Sequence, residues 1–152
     1  MCRMRTERKF PCSAVQFFNF MAKRLAEDIQ IETDKKITIA QIHQGMKYEK
    51  RIKVTEKKDR TGKAQITVYE KPSRILLTVE MWDGVQTIET VIQAIDDHSC
   101  NVIYDENFKA EKPEKALALK GFSLFNNKKN KKKQEELMDL FEKQIRMTYP
   151  QK

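Results

Sequence analysis

Glycine and proline are scarce, with four of each in 152 residues. Neither a P-loop nor a dinucleotide fingerprint occurs, and so few glycines leave little scope for loops of that kind. No G-x-S-x-G nucleophile elbow is present. The two histidines, His43 and His98, sit at a loop start and a turn, without the further ligands a metal site requires. Cys2, Cys12 and Cys100 form no C-x-x-C and no even framework, so neither a disulfide scaffold nor a structural metal is expected. No apolar run approaches the roughly 20 residues of a spanning helix, and residues 1–5 lack the apolar stretch of a signal peptide. These absences point to a reducing cytoplasm, to no metal and no cofactor, and to no catalytic constellation.

Core-forming residues are plentiful. Eight Phe, four Tyr and many Ile and Val exclude wholesale disorder, and the length suits one domain over 1–152. The basic charge is local. Lys and Arg number 30 against 22 Asp and Glu, a net charge of +8. Five of those bases are Lys128, Lys129, Lys131, Lys132 and Lys133; without them, 25 bases face the 22 acids. The cluster reads as a solvated helix start, with a patch for phosphate or anionic lipid as the sharper alternative. No aromatic residue interleaves with it, which argues against nucleic acid.

Alternation along the chain predicts strands. Residues 2–10 place Arg3, Arg5, Glu7 and Lys9 on one phase and Cys2, Met4, Thr6, Arg8 and Phe10 on the other, a half-buried strand that Pro11 ends. Ser13 and Gln16 form a capping box. Ala14, Phe17, Phe18, Met21, Ala22, Leu25 and Ile29 then recur at helical spacing, with Lys23 and Arg24 elsewhere around the helix. Residues 37–44 fit a short helix or a strand. From 46 to 108 the pattern is strand and turn, with turns at 59–62, Pro72-Ser73, Asp83-Gly84 and 96–99. No helical pattern intervenes, so five consecutive strands pair as antiparallel hairpins. Residues 114–126 are apolar around Gly121. From Lys131 onward Leu137, Met138, Leu140, Phe141, Ile145 and Tyr149 predict a terminal helix that Pro150 stops.

This is an α+β chain: strand, helical material, antiparallel meander, long terminal helix. Each strand has one apolar phase, so the sheet needs helices over one face. The order of elements, F-P-C-S-A-V-Q-F-F from Phe10 to Phe18, H-Q-G-M-K-Y-E-K from His43 to Lys50 and the lysine-rich start of the last helix resemble the helix-grip fold of the START/SRPBCC superfamily. Within it they resemble a small bacterial branch, a domain of unknown function. The resemblance implies a curved antiparallel sheet wrapped around the C-terminal helix. It also implies a cavity between them for an apolar or amphipathic small molecule; some members, such as polyketide cyclases, add catalysis.

The inward phases assign Tyr48, Ile52, Val68, Leu77, Val79, Met81, Val102, Tyr104 and Glu106 to that cavity from the sheet. Phe17, Phe18, Leu137, Leu140 and Phe141 would line it from the helices. Arg8, Lys50 and Glu106 are charges in apolar phases; they either lie near a sheet end and reach water, or pair with one another, Arg8 with Glu106 across the first and last strands or with Lys50 as substitute partner, or serve as a polar anchor in the cavity. The expected function is binding of a small hydrophobic or amphipathic ligand by a monomer or weak homodimer. The alternatives are a cyclase- or hydrolase-like enzyme using the same cavity, and an anionic-surface or nucleic-acid binder acting through the lysine cluster.

Overall fold

The computed structural model describes residues 2–55, 58–110 and 127–150, with side chains at 3–51, 61–110 and 131–150. The apolar stretch 114–126 and the side chains of Ile52, Lys128 and Lys129 lie outside the described residues. The elements are β1 (Cys2–Phe10), α1 (Ala14–Thr33), a 3-10 turn (Ile39–Gln41), β2 (Lys47–Thr55), β3 (Lys58–Glu70), β4 (Arg74–Met81), β5 (Gly84–Asp96), β6 (Ser99–Ala110) and α2 (Asn127–Thr148). The ambiguous stretch 37–44 thus contributes a single 3-10 turn.

The six strands form one antiparallel sheet in the order β1-β6-β5-β4-β3-β2. β1 and β2 are successive strands in the chain, yet they occupy opposite edges. Five inter-strand gaps span about 24 Å, and a helix the length of α1 reaches about 30 Å, so α1 can bridge the sheet from one edge to the other. Its start is fixed as the sequence requires: Gln16 N–H donates to Ser13 Oγ at 3.1 Å and Ser13 N–H donates to Gln16 Oε1 at 2.9 Å.

Register shifts between Lys53 and Thr55, Ile66 and Val68, and Ala94 and Asp96 mark irregularities that bend the sheet. The middle one changes which side chains face the helices. Ile66 stands opposite Leu77, but Val68 stands opposite Leu76, so Thr67 is the extra residue. Val68 is thereby turned to the outer face, and Tyr69 takes the inner position beside Ile75, where its ring lies 5.0 Å from Phe18. The assignment of Val68 to the interior is corrected on this ground. The bulge is secured by the turn before β2: Gly45 N–H donates to Ile66 O at 2.7 Å, with Gly45 at φ 91°, a conformation that favours glycine.

The hairpin signal Asp83-Gly84 acts one residue earlier than its turn chemistry implies. Met81 pairs with Gly84, so Trp82 and Asp83 form the two-residue loop. Gly84 is needed for another reason: a Cβ there would lie 2.3 Å from the Lys109 carbonyl oxygen on β6. The core sits between the inner face and the helices. Phe10, Phe17, Phe18, Ile92, Val102 and Phe141 pack at its centre, and Ala22, Ile29, Tyr48, Ile66 and Val79 fill the part under the C-terminal half of α1. No helix among the described residues is long and apolar enough to cross a membrane.

Candidate functional site: the inner face of the sheet

Cross-strand register brings four inward residues into one row: Met4 beside Glu106, Glu106 beside Ile88, and Ile88 beside Leu77. All four are half-buried, as are Gln86 and Met81 on the same face. Towards the other end of the sheet the inward residues Phe10, Cys100, Val102, Ile92 and Ile75 are buried. The inner face is therefore half-buried along this row and fully packed towards Phe10 and Cys100, and beyond the row Val79 and Phe108 are buried again. α2 lies along β1, and α1 lies over β2, β5 and β6.

α2 is held by one stripe. Gln134, Met138, Phe141 and Ile145 recur at helical spacing and are each no more than 3 % exposed. The Gln134 amide donates to Met4 O at 3.3 Å, and Thr6 Oγ1 donates to Gln134 Oε1. Leu137, one turn before Phe141, is half-buried against the core. Leu140 lies off the stripe and is 43 % exposed. Its assignment to the cavity is corrected, because a helix offers one face to the sheet and Met138 occupies that face instead.

Within the half-buried row Glu106 is the ionisable group. Tyr104, two residues earlier on β6, shares this face with Glu106, and the two side chains interact. Burial pushes the Glu106 carboxyl above its ordinary range, partly offset by that interaction. Burial, and then the Glu106 charge, push the Tyr104 phenol up. The expected Arg8–Glu106 pair does not form. Arg8 stands opposite Val102 and Glu106 opposite Met4, four positions apart, or about 13 Å along the ladder. Arg8 instead donates to Asp139 on α2 at 2.7 Å, with Glu142 at 3.9 Å.

Lys50 and Tyr48 are also committed elsewhere. Both reach Asp28 on α1, Lys50 Nζ at 2.8 Å and the Tyr48 hydroxyl at 2.9 Å. The Tyr48 phenol is pushed up by burial and by the Asp28 charge. Of the remaining expected cavity residues, Phe17, Phe18, Val79, Val102 and Phe141 are buried in the core, and Leu77 and Met81 belong to the half-buried part. Sequence reasoning missed Ile88, Gln86 and Met4. Their phase was available from pairing β5 and β1 with the alternation of residues 100–108. No group of three or more metal-ligating side chains occurs among the described residues. Cys12 and Cys100 are buried free thiols; their mutual hydrogen bond and burial push the Cys12 thiol up, so it is a poor nucleophile.

Residues 4–127 match a family described as a domain of unknown function, DUF3284. The chain belongs to this family. The match ends where α2 begins, so most of the last helix of this DUF3284 chain lies beyond it. No curated protein matches the sequence. Among solved structures, norcoclaurine synthase from Thalictrum flavum, in complex with dopamine and hydroxybenzaldehyde, is similar at 10% identity and a TM-score of 0.61, covering 99% of this chain and 88% of that one. A protein from Thermus thermophilus is similar at 11% identity and a TM-score of 0.59, covering 97% and 99%. A START superfamily protein from Mycobacterium smegmatis is similar at 9% identity and a TM-score of 0.48, covering 90% and 99%. These identities speak to fold alone, and the fold of this DUF3284 chain is the expected helix grip, with its curved antiparallel sheet and C-terminal helix.

Proposed function

We propose that this chain binds a small hydrophobic or amphipathic molecule between the inner face of its sheet and α2. The observation that carries the reading is the half-buried inward row of Met4, Ile88 and Leu77 with the Glu106 carboxyl set among them. Apolar walls with a few convergent polar groups are the usual make-up of a small-molecule site. Met4 and Met81 adapt to shape because unbranched thioethers repack easily. Glu106 and Tyr104 would orient a polar end. That a protein of the same fold has been solved in complex with dopamine and hydroxybenzaldehyde supports the reading. Burial pushes up both the Tyr104 phenol and the Glu106 carboxyl, so the pair can offer hydrogen-bond donors to the polar end of a ligand. We assign the molecule to the cytoplasm, a reading supported by the free thiols of Cys12 and Cys100.

The test is titration of a solvatochromic apolar dye against the native protein and against the double variant Leu77→Phe, Ile88→Phe. Enhanced, blue-shifted emission with the native protein and its loss in a folded variant are expected. No emission change with the native protein, or equal binding by the filled variant, would overturn the reading.

A further inference from the structure

A second recess lies outside the sheet, in the cleft between α1 and the C-terminal end of α2. It encloses about 410 Å³, within the range of small-molecule sites. Phe20, Lys23 and Arg24 line it from α1, and Gln144, Met147 and Tyr149 from the end of α2.

Arg24 determines its chemistry. The guanidinium carbon lies 4.6 Å from the centroid of the Phe141 ring and 5.9 Å from that of Phe20. One nitrogen donates to Gln144 Oε1 at 3.3 Å. The side chain is thus oriented by rings and an amide. Among the described residues neither Arg24 nor Lys23 takes part in an ion pair. Glu27 shares the cleft, so these side chains leave it one net positive charge. A guanidinium held over these rings, with N–H donors beyond the one given to Gln144, matches the two oxygens of a carboxylate. Around these charges the lining mixes polar Asn19 and Thr148 with apolar and aromatic Phe20, Ile39, Met147 and Tyr149, and Met147 is 73 % exposed, the most exposed large hydrophobic side chain described. An aromatic body seated there would cover it.

We propose that this cleft binds a small aromatic carboxylic acid, with its carboxylate on Arg24 and its ring against Phe20, Tyr149 and Met147. The recess lies between the helices and not on the inner face, and the proposal does not rest on the function proposed for that face, although the Arg24 charge reaches the Tyr104 phenol there.

The experiment follows backbone amide signals by NMR while phenylacetate, phenylacetamide or inorganic phosphate is added. Phenylacetate is expected to give saturable shifts confined to α1 around Phe20–Arg24 and to the end of α2. The amide and phosphate should bind at least tenfold more weakly. Arg24→Gln should weaken phenylacetate at least tenfold. Met147→Glu, at an exposed position that leaves the core untouched, should weaken it at least fivefold at unchanged Tm, which keeps the test valid if Arg24→Gln fails to fold. Phenylacetamide binding as well as phenylacetate, phosphate matching it, shifts mapping to the inner face, or an unchanged affinity in Met147→Glu would each overturn the proposal.

Discussion

Arg8 on β1 is tied to Asp139 on α2 at 2.7 Å, and this bond joins the edge strand to the terminal helix. Asp139 is 70 % exposed at its side chain, so the bond sits in water and is screened by salt. A double-mutant cycle of Arg8→Ala and Asp139→Ala should give a coupling below about 1 kcal/mol in urea denaturation, fading in concentrated salt. A coupling well above that, insensitive to salt, would show that the pair is far less solvated than its exposure indicates.

Gln134 makes the opposite case. It is 3 % exposed and its two polar atoms bond to Met4 O and Thr6 Oγ1. Gln134→Ala removes both bonds and leaves half-buried partners on β1 unpaired, so it should cost about 1–2 kcal/mol. The check is the urea midpoint at constant slope. A cost no larger than that of Lys132→Ala, at an exposed position on the same helix, would refute the anchoring role.

Glu106 should leave a signature in the pH dependence of stability. Its carboxyl is pushed above the ordinary range in the folded chain. Protonated Glu106 therefore favours folding; that contribution is complete below the unfolded value and is lost as pH rises through the folded one. Glu106→Gln keeps a hydrogen-bonding amide and carries no charge. It should raise stability by about 1 kcal/mol at neutral pH and flatten the Tm profile over that window. A Tm that falls at neutral pH in the variant would mean that the carboxylate has a compensating partner.

Gly45 and Gly84 should respond differently to alanine. Gly45 has open space around its missing Cβ and only a positive φ to lose, so Gly45→Ala should cost about 1 kcal/mol. At Gly84 the new Cβ would meet the Lys109 backbone oxygen at 2.3 Å, which forces β5 and β6 apart. Gly84→Ala should cost about 3 kcal/mol or prevent folding. Thermal unfolding of the two variants side by side decides it, and equal losses would contradict the close approach.

The fold was largely legible because its signals are local. The Ser13–Gln16 capping box, the alternation of 2–10 and 100–108, and the two-residue turn at 97–98 depend on neighbours in the chain, and the structure has all three. The inner face was legible only in part. Val68 follows a bulge, and one extra residue reverses every side chain after it. Nothing in I-T-V-Y announces that Thr67 is the extra one, since its cause is the bonding of Ile66 to the distant Gly45–Met46 turn. Leu140 looked inward because helical spacing fits more than one stripe through Leu137, Met138, Leu140 and Phe141. Register with β1 through Gln134, a polar residue, decides among them. The Arg8–Glu106 pair was inferred from phase, which fixes the face of a strand but not the position along it.

The pairing of β1 with β6 sets the timetable of assembly. Of the six strands, the first in sequence is bonded to the last, and Arg3 on β1 meets its carboxylate partner Asp105, 102 residues further along the chain. Until they meet, β1 offers bare N–H and C=O groups on both edges. Its outward row of Arg3, Arg5, Glu7 and Lys9 keeps the strand hydrated until β6 pairs with it. Pairing over this span carries the loop-closure cost of residues far apart in the chain, the kind of contact that slows folding. A chain halted before residue 99 would hold a meander with no place for its own beginning.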